Sequence, residues 1–497
     1  FNVRVQHRFS PKATAFVSFY FGDDKLKTCT EDKGYDKPNY FGSFSDDRFD
    51  MHWGNILAQA GLNYRFNDNL SSEFTAAYTR FFSGMKHDYI SRDKSSDHMD
   101  ESHTVLNTDN NINDWIFRGD FDWSPNGNNR VRFGAGYTRH SFLPARTSRL
   151  YEVGTTHLST RDSTWAYGAN EVNAYIEDDW KISDKFRMNA GFHGSLFNIG
   201  GKTNLGWSPR LSLSYRPDED WAVKFAYART TQYVHQLSQS YLALPTDQWI
   251  PISGKLKPET ADKISVGGYW ESPDKTYAVS VEGYYKWMDN LVEYKDEYYL
   301  RPPLDLWNAQ LCSGKGTAKG VDFKIEKVFG KVTGHISYSL AWADRTFADK
   351  NGGRTFPAKF DNRHTINIIS DKVQVNASWV GHSGNRFTLL NQVWDDPDFE
   401  TTDWFGAGES PLRTGINSYK LPFYHRLDLS CTVKNKRGYW TFGLYNAYCH
   451  MNTVAVKRGT QDIAVSKPGE YYITSEPVFK RVKLLPVIPS ISYTWLF

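Results

Sequence analysis

Alternation of apolar and polar residues recurs along the whole chain and limits the folds that it can adopt. The segment at 221–228 alternates Trp221, Val223, Phe225 and Tyr227 with small or charged residues, and the segments at 115–123, 276–287 and 331–342 repeat this pattern. Successive side chains of a strand point to opposite faces, so a period of two predicts strands with one apolar and one polar face. The sequence therefore predicts an all-β protein.

The lengths of the connections separate a soluble sandwich from a membrane barrel. Soluble all-β folds place a turn every ~8 to 12 residues. Here tight turns alternate along the chain with long polar stretches. The tight turns include those at 10–11, 67–69, 125–127 and 217–218, and the long stretches include those at 23–50, 83–110, 143–168 and 232–258. Short turns at one end and long loops at the other are typical of outer-membrane β-barrels.

The composition fits a wall with two unlike faces. Aromatic residues make up 16% of the chain, yet the mean hydropathy is −0.60. Lipid cannot hydrogen-bond free backbone groups, so a membrane-spanning sheet must pair its edges, show an apolar face outward and keep its polar face inward. Tyr and Trp favour the headgroup boundary, which accounts for the aromatic excess.

We count about nineteen strands, beginning near residues 1–9, 13–22 and 52–66 and ending with the strand that reaches Phe497. Bacterial barrels have an even number of strands with both ends periplasmic, and barrels of about 22 strands are plugged transporters. We therefore expect residues 1–497 to form the barrel domain of a longer protein, with about three strands and an N-terminal plug outside this chain. The predicted fold is a transmembrane antiparallel β-barrel.

Charged residues at the polar positions of the strands are predicted to line the lumen. They could contact the plug or the substrate, or they could neutralise one another in a hydrated wall, since confined charges must be paired or solvated. These residues are Arg118, Asp120, Asp122, Lys224, Glu282, Lys286, Asp322, Lys324, Glu326, Arg426 and Asp428.

The chain ends in alternating aromatic residues. Tyr493, Trp495 and Phe497 fall on one face of the last predicted strand. This pattern resembles the β-signal that the outer-membrane assembly machinery reads, although an ordinary edge strand would also alternate.

Seven short motifs, in order along the chain, resemble those of TonB-dependent outer-membrane receptors. They are YIEDDWKISDKF at 175–186, SPRLSLSY at 208–215, LKPETAD at 256–262, GTAKGVD at 316–322, FPAKFDNRH at 356–364, YHRLD at 424–428 and FGLYNA at 442–447. The resemblance implies a 22-stranded barrel filled by a plug, with a TonB box that couples uptake to the inner-membrane proton gradient. Neither plug nor TonB box is found in this sequence, so energy coupling is assigned to no residue here.

Two long loops carry candidate ligand groups. His87, His98 and His103 lie in an acidic stretch that could capture a transition metal, but the spacing is irregular and a solvated acidic loop is the alternative. Clustered oxygens in a second loop could hold Ca²⁺, and its aromatic rings could stack on a solute, with loop-tip packing as the alternative. The second set comprises Trp394, Asp395, Asp396, Asp398 and Trp404.

Other functional classes find little support. The formal net charge of +3 argues against a nucleic-acid partner, and no HExxH, GxSxG, Walker A or dinucleotide motif is present. We therefore predict no enzyme, no catalytic residue and no cofactor. The cysteines lack zinc-site spacing. Cys29 and Cys312 fall in predicted outer loops, where an oxidising exterior permits a disulfide, and the sequence leaves open whether they form one. Cys431 and Cys449 are expected to be free and buried.

The sequence predicts an integral protein of the Gram-negative outer membrane, with extracellular long loops, that imports a scarce solute by TonB-dependent uptake. The expected partners are membrane lipid, a TonB-type complex reached through the missing N-terminal region, and a surface lipoprotein or other outer-membrane protein. The alternative is a scaffold barrel in a larger assembly, and a passive porin is a further one.

Overall fold

The computed structural model describes most of the chain, namely residues 1–33, 42–94, 99–153, 156–163, 166–237, 247–252, 254, 256–295, 311–372, 375–388, 390–395, 409–413, 415–467 and 470–496. Throughout these ranges the regular structure is β-strand, apart from one 3₁₀ turn at Asn351–Gly353. Among the described residues no helix has the length and apolarity needed to cross a membrane.

The strands of the N-terminal half are long. They are β1 (Asn2–Arg8), β2 (Ala13–Lys33), β3 (Gly42–Arg65), β4 (Leu70–Lys94), β5 (Met99–Trp123), β6 (Asn129–Val153), β7 (Thr156–Ser163), β8 (Tyr167–Lys181), β9 (Phe186–Ile199), β10 (Lys202–Tyr215), β11 (Trp221–Gln232), β12 (Val234–Leu237), β13 (Gln248–Pro251), β14 (Glu259–Glu271) and β15 (Tyr277–Tyr294).

The C-terminal half mixes long strands with short ones. They are β16 (Leu311–Lys327), β17 (Thr333–Phe347), β18 (Phe356–Pro357), β19 (His364–Lys372), β20 (Val375–His382), β21 (Arg386–Phe387), β22 (Leu390–Asp395), β23 (Glu409–Arg413), β24 (Tyr419–Lys420), β25 (Tyr424–Asn435), β26 (Gly438–Tyr445), β27 (Asn452–Lys467), β28 (Glu470–Leu484) and β29 (Ile488–Trp495).

Each of the nineteen predicted strands coincides with one strand of the structure. Twenty-one described strands belong to one large antiparallel sheet, and the two that the sequence did not predict are β7 and the two-residue β18. The pattern of alternation identified these strands because each has one apolar face. The predicted strand count is confirmed.

The chain groups into two compact units. One comprises Phe1–Leu213, Tyr227–Asp262 and Met288–Gly314, and the other comprises Ser214–Ala226, Lys263–Trp287 and Lys315–Phe497. In the first unit, β1 to β6 pair in sequence order. Strand β6 then pairs with both β7 and β8, and β8 pairs with β9. In the second unit the order is β17, β19, β20, β25, β26 and β29.

The tight turns are held by side chains of the turn residues themselves. Ser10 Oγ accepts a hydrogen bond from the Ala13 amide at 3.1 Å, Asn126 Oδ1 from the Asn128 amide at 2.8 Å, and Asp218 Oδ1 from the Trp221 amide at 2.8 Å. Ser, Asn and Asp favour turns because their short side chains satisfy backbone amides locally. These residues therefore end one strand and begin the next.

The predicted long loops at 23–50, 83–110 and 143–168 contain strand over much of their length, which is a difference from the sequence analysis. β2 stays paired with β3 from Ala13 to Lys33, and β4 stays paired with β5 from Leu70 to Lys94. These stretches, which we call the outer extensions, are rich in polar residues and contain only scattered apolar ones such as Leu106. Their hydrophobic alternation is therefore weak, but their backbones still pair across the ladder. The stretch at 450–480 is likewise mostly a hairpin, β27 with β28.

Candidate functional site: the polar face of the wall

The two faces of the sheet differ as the alternation predicts. On β5, Trp115 and Phe117 are 54% and 50% exposed, whereas Arg118 and Asp120 alternate with them and point to the opposite side. We call the side of Trp115 the apolar face and the side of Arg118 the polar face. Large apolar side chains exposed on one face of a spanning strand are what a lipid environment requires.

In the first unit the predicted polar-face charges are paired. Arg118 Nε lies 2.6 Å from Asp120 Oδ2, and the Tyr175 hydroxyl donates to Asp120 Oδ1 at 2.7 Å. Asp122 accepts from Arg130. The Arg118–Asp120 pair lies within β5, whereas Arg130 of β6 and Tyr175 of β8 link their strands to β5.

In the second unit lysines contact both aromatic rings and acids. Lys224 Nζ lies 4.3 Å from the centre of the Tyr269 ring, whose hydroxyl donates to Glu282 at 3.0 Å. Lys324 and Glu326 form an ion pair at 2.6 Å. For Lys286 and Asp322 the described part of the chain holds no ion pair.

The last predicted pair on the polar face, Arg426 and Asp428, joins two of the recurrent motifs. Arg426 Nη2 lies 2.8 Å from Asp428 Oδ2, and Arg426 Nη1 also donates to the Tyr424 hydroxyl at 3.0 Å. Asp428 Oδ1 accepts from the amide of Asn446 at 2.9 Å. The YHRLD and FGLYNA motifs are therefore two sides of one polar contact.

A buried ionic group that the sequence analysis missed lies on the polar face of the first unit. His140 on β6 is 9% exposed; its Nδ1 lies 2.8 Å from Asp114 Oδ1 on β5 and its Nε2 lies 3.5 Å from Glu171 Oε2 on β8. The imidazole also stacks on Phe142, with ring centres 5.4 Å apart. Residues from three strands meet here, so no local sequence pattern could have grouped them.

The hairpin of β12 and β13 covers this part of the polar face. Its buried side chains include Leu237, Ile250 and Ile252, at 2%, 0% and 1% exposure. They belong to an apolar cluster with Phe142 and Phe197. The sequence analysis predicted an outer loop at 232–258 without such packing.

Polar contacts fix both ends of the hairpin. The Tyr233 and Ser195 hydroxyls are 2.7 Å apart, and Asn110 Nδ2 donates to the Asp247 carbonyl at 3.4 Å. His235, which is 3% exposed, lies 3.5 Å from Glu259 of the LKPETAD motif. That motif therefore supports the base of the hairpin.

Two of the candidate metal ligands, His87 and His103, pair with carboxylates. His87 Nε2 lies 2.8 Å from Asp47 Oδ1, and His103 lies between Asp88 at 2.8 Å and Glu152 at 3.3 Å. Hydrogen bonding to Asp88 raises the pKa of His103. His98 lies outside the described residues, and within them no group of three His, Cys, Asp or Glu side chains has a geometry that could hold a metal ion.

The second candidate loop is described only at its start. Trp394 and Asp395 end β22, which pairs with β23. Asp396, Asp398 and Trp404 lie outside the described residues.

None of the four cysteines, all of which lie in the described ranges, forms a disulfide bond, so Cys29 and Cys312 are not bridged. The prediction that Cys431 and Cys449 are buried is wrong: Cys431 is half-buried and Cys449 is exposed. Cys449 lies in the turn after β26, with a positive φ of 55°, and not in a strand that could bury it.

Comparison with known proteins identifies the family. The sequence model of the TonB-dependent receptor-like β-barrel matches residues 5–448. The chain belongs to this family. Family membership confirms the resemblance drawn from the seven motifs and identifies the protein as an outer-membrane receptor. No curated protein matches the sequence.

Solved structures of similar fold are outer-membrane receptors. The siderophore receptor PiuA of Acinetobacter baumannii has a TM-score of 0.55 at 11% identity, with 99% of this chain and 78% of that chain covered. The ferric-catecholate import receptor Fiu of E. coli K12 has a TM-score of 0.54 at 12% identity, with 99% and 79% covered. BauA, the ferric preacinetobactin receptor of A. baumannii, has a TM-score of 0.51 at 12% identity, with 91% and 74% covered. These similarities confirm the predicted fold class, an outer-membrane β-barrel.

The C-terminal strand of the receptor pairs as a regular member of the sheet. Trp495 lies opposite Gly438 and Tyr493 opposite Trp440, with the Trp440 and Tyr493 rings 4.7 Å apart. Trp495 is 58% exposed. Phe497 lies outside the described residues, and the assembly signal stays a prediction.

Proposed function

We propose that this receptor imports a scarce solute across the outer membrane by TonB-dependent uptake, with the polar face of its wall lining the solute path. The observation that carries the proposal is the family match over residues 5–448. Support also comes from the polar face itself, where paired charges and the docked β12–β13 hairpin form a preorganised surface. The proposal names a transport class and no particular solute.

The proposal includes parts beyond this chain. Residues 1–497 form the wall, and a plug with a TonB box belongs to the N-terminal region, where it contacts the TonB-type complex. In this proposal the long outer extensions face the cell exterior, where a surface lipoprotein or other outer-membrane protein binds them. The predicted lining charges, from Arg118 to Asp428, contact the plug or the solute.

Uptake by the full-length receptor tests the proposal. Cells that depend on the receptor for a growth-limiting solute should lose uptake when the TonB box is deleted or when the proton gradient is collapsed. Retention of uptake in both conditions would reject energy coupling. Loss of outer-membrane assembly without any transport defect would instead support a scaffold role.

Conductance separates the receptor from a passive porin. The full-length protein in a planar bilayer should show near-zero steady ion conductance because the plug fills the lumen of the barrel. A steady conductance at the level of a general porin would overturn the proposal.

A further inference from the structure

Two arginines lie on the apolar face of the first unit, where that face changes from apolar to polar. By strand register, Tyr78 of β4, Trp115 of β5 and Arg139 of β6 form one row across the sheet. The next row outward places Arg80 opposite Asn113. Tyr and Trp favour the headgroup level of a bilayer, so these rows set Arg80 and Arg139 at that level.

The side of this boundary nearer the tight turns is apolar. The neighbouring row contains Phe117 opposite Tyr137, which are 50% and 39% exposed. Val172 continues the row on β8 and is 46% exposed. A hydrocarbon chain would therefore meet a continuous apolar surface directly beside the two guanidinium groups.

Neither arginine forms an ion pair with a carboxylate in the described part of the chain. Arg80 lies 5.7 Å from the Phe82 ring, and Arg139 Nη1 donates to Asn170 Oδ1 at 3.1 Å. Other arginines on the same face of the outer extensions are neutralised: Arg48 by Asp46 at 2.7 Å and Arg92 by Glu101 at 3.0 Å. The charge of the two boundary arginines is thus left for a partner outside the chain.

The surroundings hold Arg139 in place and leave donors unused. The Tyr137 hydroxyl donates to the same Asn170 oxygen at 2.8 Å, and the guanidinium lies over Gly168, where an added Cβ would come within 2.6 Å of Arg139 Nη2. A guanidinium has five N–H donors in a planar fork that suits phosphate oxygens. Only one of these donors on Arg139 is used in the contact with Asn170.

We propose that Arg80 and Arg139 bind the phosphate of an anionic lipid in the outer leaflet, with its acyl chain lying over Trp115, Phe117 and Tyr137. An anion at the boundary would complement the two guanidinium groups, and the adjoining apolar row of Phe117 and Tyr137 would accommodate a hydrocarbon chain attached to that anion. The inference rests on the proposed orientation of the receptor and is independent of which solute is transported.

Lipid binding by the full-length receptor tests the inference. Bisphosphorylated lipid A would be titrated against the detergent-solubilised protein and its retention followed by native mass spectrometry. Removing both charges with R80Q and R139Q should weaken binding about tenfold or more, because charge-assisted hydrogen bonds to phosphate are lost. Dephosphorylated lipid A should bind the wild type and the double variant equally.

Matched variants keep the result interpretable. R48Q removes an arginine of the same face that already has a carboxylate, and its binding should stay within about twofold of wild type. R80K with R139K keeps the charge without the planar fork and should give an intermediate loss. Heat-modifiable migration on gels would verify that each variant is folded.

Three results would overturn the inference. The double glutamine variant could bind bisphosphorylated lipid A as well as the wild type, or R48Q could lose as much binding as the double variant. Inorganic phosphate at tens of millimolar could also raise the unfolding temperature as much as lipid A does, which would reject the lipid as the source of the phosphate. Uptake measurements play no part in this test, so a failure here leaves the proposed function standing.

Discussion

Single residues on the two faces of a strand should respond differently to charge. Phe225 belongs to the apolar face of β11, where its neighbour Val223 is 49% exposed, whereas Lys224 points to the polar face and contacts the Tyr269 ring. Phe225→Arg should cost about 2 to 4 kcal/mol if the site is near the bilayer midplane, and Lys224→Glu should cost far less. Reversible unfolding in lipid vesicles measures both. Equal costs would show that the faces are wrongly assigned.

Asp361 is the most enclosed carboxylate that the motifs contain. Its side chain is 0% exposed and lies 2.7 Å from Arg386 and 3.1 Å from Arg363, while the Ala343 amide donates to its other oxygen at 3.1 Å. The FPAKFDNRH motif thus joins β17 to the segments around β19 and β21.

Removing that carboxylate should be costly. Asp361→Asn leaves two guanidinium groups without their shared anion, and breaking a buried pair in this way costs about 3 to 5 kcal/mol. Asp184→Asn, at an exposed turn where Asp184 binds Lys181, is the control and should leave the unfolding midpoint unchanged. A similar midpoint for both variants would contradict the prediction.

At the scale of elements, a row of alternating acids and histidines crosses four strands of the outer extensions. Asp88 of β4, His103 of β5, Glu152 of β6 and His157 of β7 are successive partners, at 2.8, 3.3 and 2.8 Å. Hydrogen bonding to Asp88 raises the pKa of His103. Hydrogen bonds from His157 and His103 lower the pKa of Glu152, and although burial opposes it, those from Lys86 and His103 lower the pKa of Asp88.

The row should make these strands most stable in mildly acidic solution. A raised histidine pKa contributes stability that is complete below the ordinary value of 6.5 and is lost as the pH rises through the folded value. Lowered carboxyl pKa values contribute stability that is complete above the ordinary values of 3.8 and 4.5 and is lost as the pH falls through the folded values. The window therefore lies between about pH 4.5 and 6.5.

Hydrogen exchange of peptides from β5 to β7 measures this dependence. Protection, corrected for intrinsic exchange, should fall as the pH rises from 6 to 9 in the wild type and should be lower and flatter in His103→Gln. His87→Gln, which removes a single pair with Asp47, should keep the wild-type profile in these peptides. An unchanged profile in His103→Gln would show that the row does not hold the strands.

The spanning strands were predictable from sequence, and the elements at the outer end were not. Trp115, Phe117 and Phe225 indicate a lipid-facing side, because every second residue of a membrane-spanning strand must be apolar. The outer halves of β4 and β5 have no such requirement, since water solvates both faces, so residues 83–110 resemble a loop in sequence. His140 resembles any other polar-face residue, and only its contacts with Asp114 and Glu171 from separate strands make it distinctive.

At the scale of the whole molecule, the docked hairpin should act as a fixed part of the wall during uptake. Undocking would expose Leu237, Ile250 and Ile252, and each such side chain contributes about 1.5 to 3 kcal/mol when buried. A disulfide between Asn110→Cys and Asp247→Cys, in a background without the native cysteines, would join the hairpin to β5 where the two residues already touch.

Uptake by the oxidised variant should equal uptake after reduction. The variant with Asn110→Cys alone, treated in the same way, controls for effects of the reductant. A block that reduction reverses would show that the hairpin has to leave the wall for the solute to pass.

The paired outer extensions of β2 to β5 constrain how the length of these strands can change. Because successive residues alternate faces and each extension is paired residue by residue with the next strand, inserting one residue within an extension exchanges the faces of every residue beyond it. Inserting two residues preserves the faces and only lengthens the strand. Variation in the length of these strand extensions should therefore accumulate at the tips of the hairpins, where no pairing is disturbed, or in steps of two residues within the strands.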